Sequence, residues 1–415
     1  MTLPATINVS FDFSNGPISG IAFTLDDPNN GILGTNVLAD NASDVVDLSS
    51  VSGRISIRRG RNLYSDQFEA GSCTVRVYDA NGDWNPENTS SPYYGKLQPL
   101  RKLRISATFQ GVTYYLFSGY TTKYQYSYPK GQEIGYVDIS AEDAFRIFNM
   151  AAISTVTNSG AGQSTGTRIE KILDMVSWPS SMRSIETGQT TCQADPSSVR
   201  STLDAIKRVE STEYGAFYID PTGTATFLDR NTVVSSFGAA PTIFNQNGTG
   251  INYADLKFAF DDKLIINQAT AQRLNGTEQT TTDYNSVDQY FIHSVRVTDL
   301  LMETDSEALN LARSYVATHK DTTIRIDEMT LDLTTLNYTD GVLAGLGLDY
   351  FDVVQITNDQ QGGSVLTKTL QIMGIAHDIT PNTWQVRFST QEPIIDGFIL
   401  NSSVSGIIGT SVLSY

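Results

Sequence analysis

Four groups of residues in this 415-residue chain have types and spacings suited to chemistry. The first is Asp79-x-Asn81-x-Asp83 in DANGDWNPENTS, whose alternating oxygen donors resemble the start of a calcium loop. An EF-hand loop needs Gly at its sixth place and Glu at its twelfth, where this chain has Trp84 and Ser90. Asp, Asn and Gly also make ordinary turns, so the expectation is no metal site, with Asp79, Asn81 and Asp83 as the one candidate. The second group is His293, His319 and His377, which are isolated and lack the paired spacing of a zinc site such as H-E-x-x-H. A lone His is expected to be a satisfied structural residue. The third is a tyrosine stripe, Tyr120, Thr122, Tyr124, Tyr126 and Tyr128, alternating with Lys123, Gln125 and Ser127 on one strand. It could stack sugars or bases, but core or interface filling is the commoner use of such residues. The fourth is basic: Arg54, Arg58, Arg59 and Arg61, with Lys96, Arg101, Lys102 and Arg104. It could touch DNA, and is expected instead to pair with carboxylates across a subunit contact. The sequence contains no Gly-rich phosphate loop and supports no nucleophile-His-acid constellation, so no catalytic residues, cofactor or enzymatic activity are expected.

The elements that must position these groups follow from periodicity. Ile55 and Ile57, then Cys73, Val75 and Val77, then Leu103, Ile105, Ala107 and Phe109 alternate with polar residues. Successive strand side chains face opposite ways, so each run predicts a half-buried strand. Ser140 with Asp143 is expected to cap a short helix carrying Phe145, Ile147 and Phe148. Thr167 with Glu170 reads as a capping box for a helix burying Ile169, Ile172, Leu173 and Val176. A second helix is placed from about Ser198, with Val199, Leu203, Ile206 and Val209 inward. Asp220-Pro221-Thr222-Gly223 predicts a hairpin turn. Further on, a strand is expected at 264–273, and Thr304 with Glu307 caps a helix. Strands follow at Met329, Leu331 and Leu333, at Val354 and Ile356, at 366–372, and at Trp384, Val386 and Phe388.

Length sets a prior of about two to four domains. The fold class expected is mainly β with an α+β insert. An arm with short strands spans 1–50, a first β unit 51–150, an α+β domain 151–250, and a second β-rich unit with one helix 251–390. The segment GIAFTLDDPNNGILGTNVLAD returns near the carboxyl end as GFILNSSVSGIIGTSVLSY, matching Phe23 with Phe398 and Leu38 with Leu413 without a gap. Either each arm, 20–40 and 397–415, packs on its own chain, or the two dock neighbouring subunits or peripheral proteins. With only Cys73 and Cys192, free thiols are expected rather than a disulfide framework. The net charge of −17 argues against a free nucleic-acid-binding module, which needs clustered cations. It suits a conduit through which DNA slides, or simply solubility. No apolar run reaches transmembrane length and the first residues lack a secretory pattern, so the expectation is a protein made and soluble in a cytoplasm.

Five quoted runs carry a family resemblance: R-I-S-I-R-R-G-R at 54–61, D-x-N-G-D-W-N-P at 79–86, N-T-S-S-P-Y-Y at 88–94, P-L-R-K-L-R-I-S-A at 99–107 and L-F-S-G-Y at 116–120. In this order they resemble the tail-tip hub ("minor tail protein") family of long non-contractile tailed bacteriophages. The second half looks like the family in S-x-x-x-Y at 286–290 and D-S-E-A-L-N-L-A at 305–312. The resemblance implies a structural virion protein with two β-barrel-like modules similar to tail-tube subunits, separated by a small α+β domain. It implies a homotrimer joining the sixfold tail tube to the threefold tip, with DNA only as transient lumen cargo. Distal tail or tail-tube proteins, the tape-measure protein, and fibre or tip proteins bound through the terminal arms are the implied partners. The implied location is the tail tip of the virion, after assembly in the host cytoplasm. The alternative function is a host cell-surface (carbohydrate or receptor) binder using the tyrosine stripe, and a cell-wall hydrolase ranks last.

Overall fold

The structure is a computed structural model that describes residues 3–13, 45–61, 67–129, 134–246, 250–322, 324–334 and 339–392. The two similar arms lie outside these residues. Most of the expected strands form where apolar and polar residues alternate and join into one long sheet, while the strand expected at 264–273 forms at Gln268–Arg273 in a separate small sheet. From edge to edge its order is Asp255–Ala259, Arg325–Asp332, Trp384–Gln391, Val365–Ile379, Ser52–Arg61, Phe68–Tyr78, Tyr136–Glu142, Val112–Ser127, Lys102–Phe109, Thr6–Asp12 and Val45–Asp47. Val353–Asp359 pairs with the first part of Val365–Ile379, and Thr242–Asn245 pairs with Val353–Asp359. One face buries Ile55, Ile57, Val75, Val77, Leu103, Ile105, Val137, Ile139, Val386 and Phe388. Each such side chain contributes about 1.5–3 kcal/mol relative to its exposed state.

The sheet is one design used twice. In the first half Phe68–Tyr78 pairs with Tyr136–Glu142, which pairs with Val112–Ser127, which pairs with Lys102–Phe109, all antiparallel. In the second half Arg325–Asp332, Trp384–Gln391, Val365–Ile379 and Val353–Asp359 repeat that order and direction. The long strand of each half changes partner midway. Tyr120 pairs with Lys102 on one side and Glu142 on the other. Gln371 pairs likewise with Val353 and Gln391. Just beyond, each long strand skips one residue of the ladder, Thr122 in the first half and Met373 in the second. A bulge bends its strand and sharpens its twist, so the long sheet bends at the same place in both halves. The outer strands also correspond: Ser52–Arg61 lies against Phe68–Tyr78 as Asp255–Ala259 lies against Arg325–Asp332.

The halves meet where Val365–Ile379 pairs with Ser52–Arg61, from Ile379 opposite Ile55 to Gly374 opposite Gly60. Gly60 has φ +118°, and a Cβ there would lie 2.3 Å from the Gly374 Cα and 2.4 Å from the Met373 carbonyl oxygen. Only glycine fits this crossing.

The α+β insert holds helices Thr165–Met175 and Thr202–Glu213 and a hairpin, Ala216–Ile219 with Ala225–Leu228, joined by the parallel strand Arg183–Ile185. The hairpin turn forms as expected, with Asp220 accepting from the Thr222 and Thr224 N–H groups. Three expected helix starts shift. Ser140 lies inside a strand, and Asp143 accepts from the Phe145 N–H at the start of Phe145–Met150. Ser164, not Thr167, caps Thr165–Met175, and Ser201 caps Thr202–Glu213, leaving Val199 81% exposed. Ser164 and Ser201 each sit one residue before the first helical residue, where the hydroxyl oxygen reaches the third N–H, whereas Asp143 reaches the first. The expected box of Thr304 and Glu307 forms at Asp305–His319. That helix packs on the small sheet Gln268–Arg273, Gln279–Thr282 and Ser294–Leu300, burying Ala271, Leu300, Ala308 and Ala312.

Candidate functional site

The face of the long sheet opposite the core carries the candidate functional residues and crosses the junction of the two halves, while at Ser118 and Tyr120 it is itself buried. The same alternation that buries Ile55 and Ile57 turns Arg54, Ser56 and Arg58 outward. One pairing row runs Asp255, Thr330, Arg387, Ala376, Arg58, Ser72, Glu142, Tyr120, Lys102 and Asp12, spanning both halves. Around the junction and on the neighbouring strands, several cations and carboxylates on this face are cross-paired within the chain. Arg54 and Arg387 donate to Asp378 at 3.5 and 2.7 Å, and Arg58 lies 3.9 Å from Glu69. Arg76 grips Asp138 with two bonds of 2.8 Å and covers the Tyr136 ring at 3.9 Å, while Lys257 meets Glu328 at 2.6 Å. Partial burial opposes it, yet Arg387, Ser56 and Arg54 together hold the Asp378 carboxyl below the usual carboxylate range. Next to the junction, Arg58, Lys257, Glu328, Arg387 and Ser389 line an open polar depression of about 400 Å³.

Within the basic cluster, Arg54, Arg58 and Arg59 find carboxylates in their own chain. Arg59 points the other way from its neighbour Arg58, because adjacent strand residues alternate. It is buried, donates to Asp349 at 3.0 Å and lies 5.0 Å over the Tyr350 ring. Arg61 donates to the Gln391 side chain and Arg101 to Gln98 at 2.8 Å. Lys102 lies 5.9 Å over Tyr120, and Arg104 faces outward opposite Ser10 and Ser118.

The tyrosine stripe is not one stripe. The bulge at Thr122 changes the parity of the strand, so Tyr124 shares a face with Thr121 and not with Tyr120. The Thr121 and Tyr124 hydroxyls lie 3.3 Å apart, and Tyr124 also donates to the Gln98 carbonyl at 2.8 Å. Tyr124 packs near Phe11 and Trp84, whereas Tyr126 and Tyr128 stack at 6.3 Å with Tyr128 53% exposed.

Asp79 uses its carboxylate on its own turn, accepting from the Asp83 N–H at 2.7 Å and the Trp84 N–H at 3.3 Å. Asn81 is exposed, and the Asp83 carbonyl accepts from the Ser91 hydroxyl. Among the described residues, no group of three or more His, Cys, Asp or Glu is placed to hold a metal. The histidines stay apart. His293 contacts the Tyr290 carbonyl and His319 the Tyr315 carbonyl, at 3.0 and 3.2 Å. His377 is buried with its Nδ1 accepting from Trp384 at 3.3 Å, and burial pushes it down to about 3. Both cysteines are buried and free.

Sequence reading placed Asp143 at a helix start but missed its burial beneath the junction. Asp143 accepts from the Gly71 N–H at 2.6 Å and the Phe145 N–H at 2.9 Å, and burial pushes its carboxyl up to about 7 against those bonds. In the insert, Glu213 is fully buried and accepts from Thr165, Gln189 and Thr190. Both acids are sealed inside and spend their oxygens on backbone and hydroxyl donors, which is a structural use.

No protein-family model matches the sequence, and no curated protein matches it. Solved structures do. The tail protein from Neisseria meningitidis MC58 aligns at a TM-score of 0.54 and 12% identity, over 82% of this chain and 92% of that one. The 43 kDa tail protein of prophage MuSo2 from Shewanella oneidensis aligns at 0.52 and 13%, over 84% and 95%. An Escherichia coli component of the type VI secretion system, described as similar to T4 bacteriophage tail proteins gp27 and gp5, aligns at 0.45 and 9%, over 83% and 73%. With two near-complete alignments above a TM-score of 0.5, the chain has the fold of phage tail proteins.

Proposed function

We propose that this chain is the hub of a phage tail tip. Three copies form a ring, and two barrel-like sheets per chain place six similar units around a lumen. A threefold protein thereby offers a sixfold-like face to a tail tube and a threefold face to the central tip. The single observation that carries this reading is the duplicated strand order with its bulge at the same rung, Thr122 and Met373. The shared fold with phage tail proteins supports a structural role in a tail. The charge-matched face of the long sheet lines the channel through which DNA leaves, and the arms at 20–40 and 397–415 attach fibres or other tip proteins. No chemical step belongs to this role.

The experiment is native mass spectrometry of the purified chain with antibody-gold labelling of intact virions. A trimer, with gold at the tail tip, is the expected result. A chain that stays monomeric and labels elsewhere on the particle overturns the proposal.

A further inference from the structure

We propose that the ring closes by β-pairing between copies, with Asp255–Ala259 of one chain added antiparallel to residues 122–128 of the next. The inference rests on the ring reading above and names its interface.

The template lies inside the chain. At the junction of the halves, the segment after the Met373 bulge pairs with an outer strand, with Ile379 opposite Ile55, Asp378 opposite Ser56 and His377 opposite Ile57. The first half has the same long strand with the same bulge. Counting from Tyr120 and Gln371, Tyr128 stands where Ile379 does, Ser127 where Asp378 does, and Tyr126 where His377 does. The second half has the same outer strand. Its Leu256 stands where Ile55 does, opposite a buried core residue of the next strand, followed by Lys257 and Phe258. Among the described residues, neither segment has a partner on this side: Asp255–Ala259 is the end of the sheet, and residues 122–128 pair only with Tyr136–Glu142.

The side chains fit the missing pairing. Ile379 is 2% exposed, whereas its counterpart Tyr128 is 53% exposed. Phe258 and Phe260 are 39% and 69% exposed on the other edge. Transferring the internal register sets Leu256 against Tyr128, Lys257 against Ser127 and Phe258 against Tyr126. This buries the tyrosine pair against the apolar residues of the edge and leaves Lys257 and Ser127 on the charged face. An open edge with exposed apolar residues is a hazard that proteins otherwise cover. One contact of this kind per copy is heterologous, and it closes when the internal and external junctions turn by the same angle.

The test uses paired cysteines in the full chain. Ser127→Cys with Lys257→Cys, under mild oxidation, is expected to give disulfide-linked dimers and trimers on a non-reducing gel. Each single variant, and Lys123→Cys with Lys257→Cys, lies out of register and is expected to give none. Phe258→Asp, at a half-exposed site, is expected to weaken ring formation at least tenfold while leaving the monomer folded by circular dichroism. Rings of three copies without the Ser127–Lys257 link would overturn this pairing and leave the ring standing. Monomers at every concentration, with no link, would overturn both.

Discussion

Arg59 and Asp349 form an ion pair of 3.0 Å between the two halves of a duplicated sheet. The arginine is buried and covers Tyr350, while the carboxylate is partly open to water. Arg59→Ala removes a cation that packs as well as pairs. The expected cost is about 2–3 kcal/mol, discounted for the exposed carboxylate. A fall in the urea midpoint without a change in slope would report it.

Asp143 and His377 oppose each other in pH. The Asp143 carboxyl, raised by burial to about 7, keeps a proton in the folded state that the unfolded chain releases near 4, so this group lowers stability as pH rises through that window. Its surroundings contain Arg59, which lowers it, and Glu142, which raises it. His377, pushed by burial to about 3, stays neutral when folded while the unfolded chain takes up a proton near 6.5, so this group lowers stability as pH falls. Asp143→Asn is therefore expected to make stability climb more steeply between pH 4 and 6.5, and His377→Gln to flatten or reverse that climb. Thermal melts across the window check both signs.

Glu213 gathers the hydroxyl of Thr165 and the N–H groups of Gln189 and Thr190 in a fully buried place. Glu213→Gln keeps the shape but turns an amide N–H₂ toward donors. A loss of about 2–4 kcal/mol is expected. Faster hydrogen exchange at residues 186–190 would show that the damage is local.

Gly60→Ala tests the junction itself. A Cβ has no room beside Gly374, and φ is unfavourable, so unfolding or insolubility is expected. Gly82→Ala is the comparison: φ is +71° but its nearest neighbour is the Asn88 amide at 3.8 Å, so about 1 kcal/mol should be lost. Melting temperatures of the two variants separate crowding from backbone strain.

The strands were legible because half-buried sheets force alternation, as at Cys73, Val75 and Val77 or Trp384, Val386 and Phe388. Helix starts were less so, since this Ser- and Thr-rich chain offers several caps close together, and only geometry chose Ser164 and Ser201. The inward turn of Arg59 could have been found by continuing the count from Ile55 and Ile57. The Thr122 bulge could not, because nothing in TTKYQY marks the residue that leaves the ladder. That one residue split the tyrosine stripe. Asp143 was hidden for another reason: its burial depends on Gly71, which is 72 residues away in sequence.

The junction also orders events on the ribosome. Arg54 and its partner Asp378 are 324 residues apart. At ~5–20 residues per second the Ser52–Arg61 edge stays open for roughly 15–65 s before its neighbour emerges. Charged side chains on an unpaired edge discourage wrong partners. Arg54 and Arg58 put two charges on that edge strand, and both carry ion pairs once the sheet is complete.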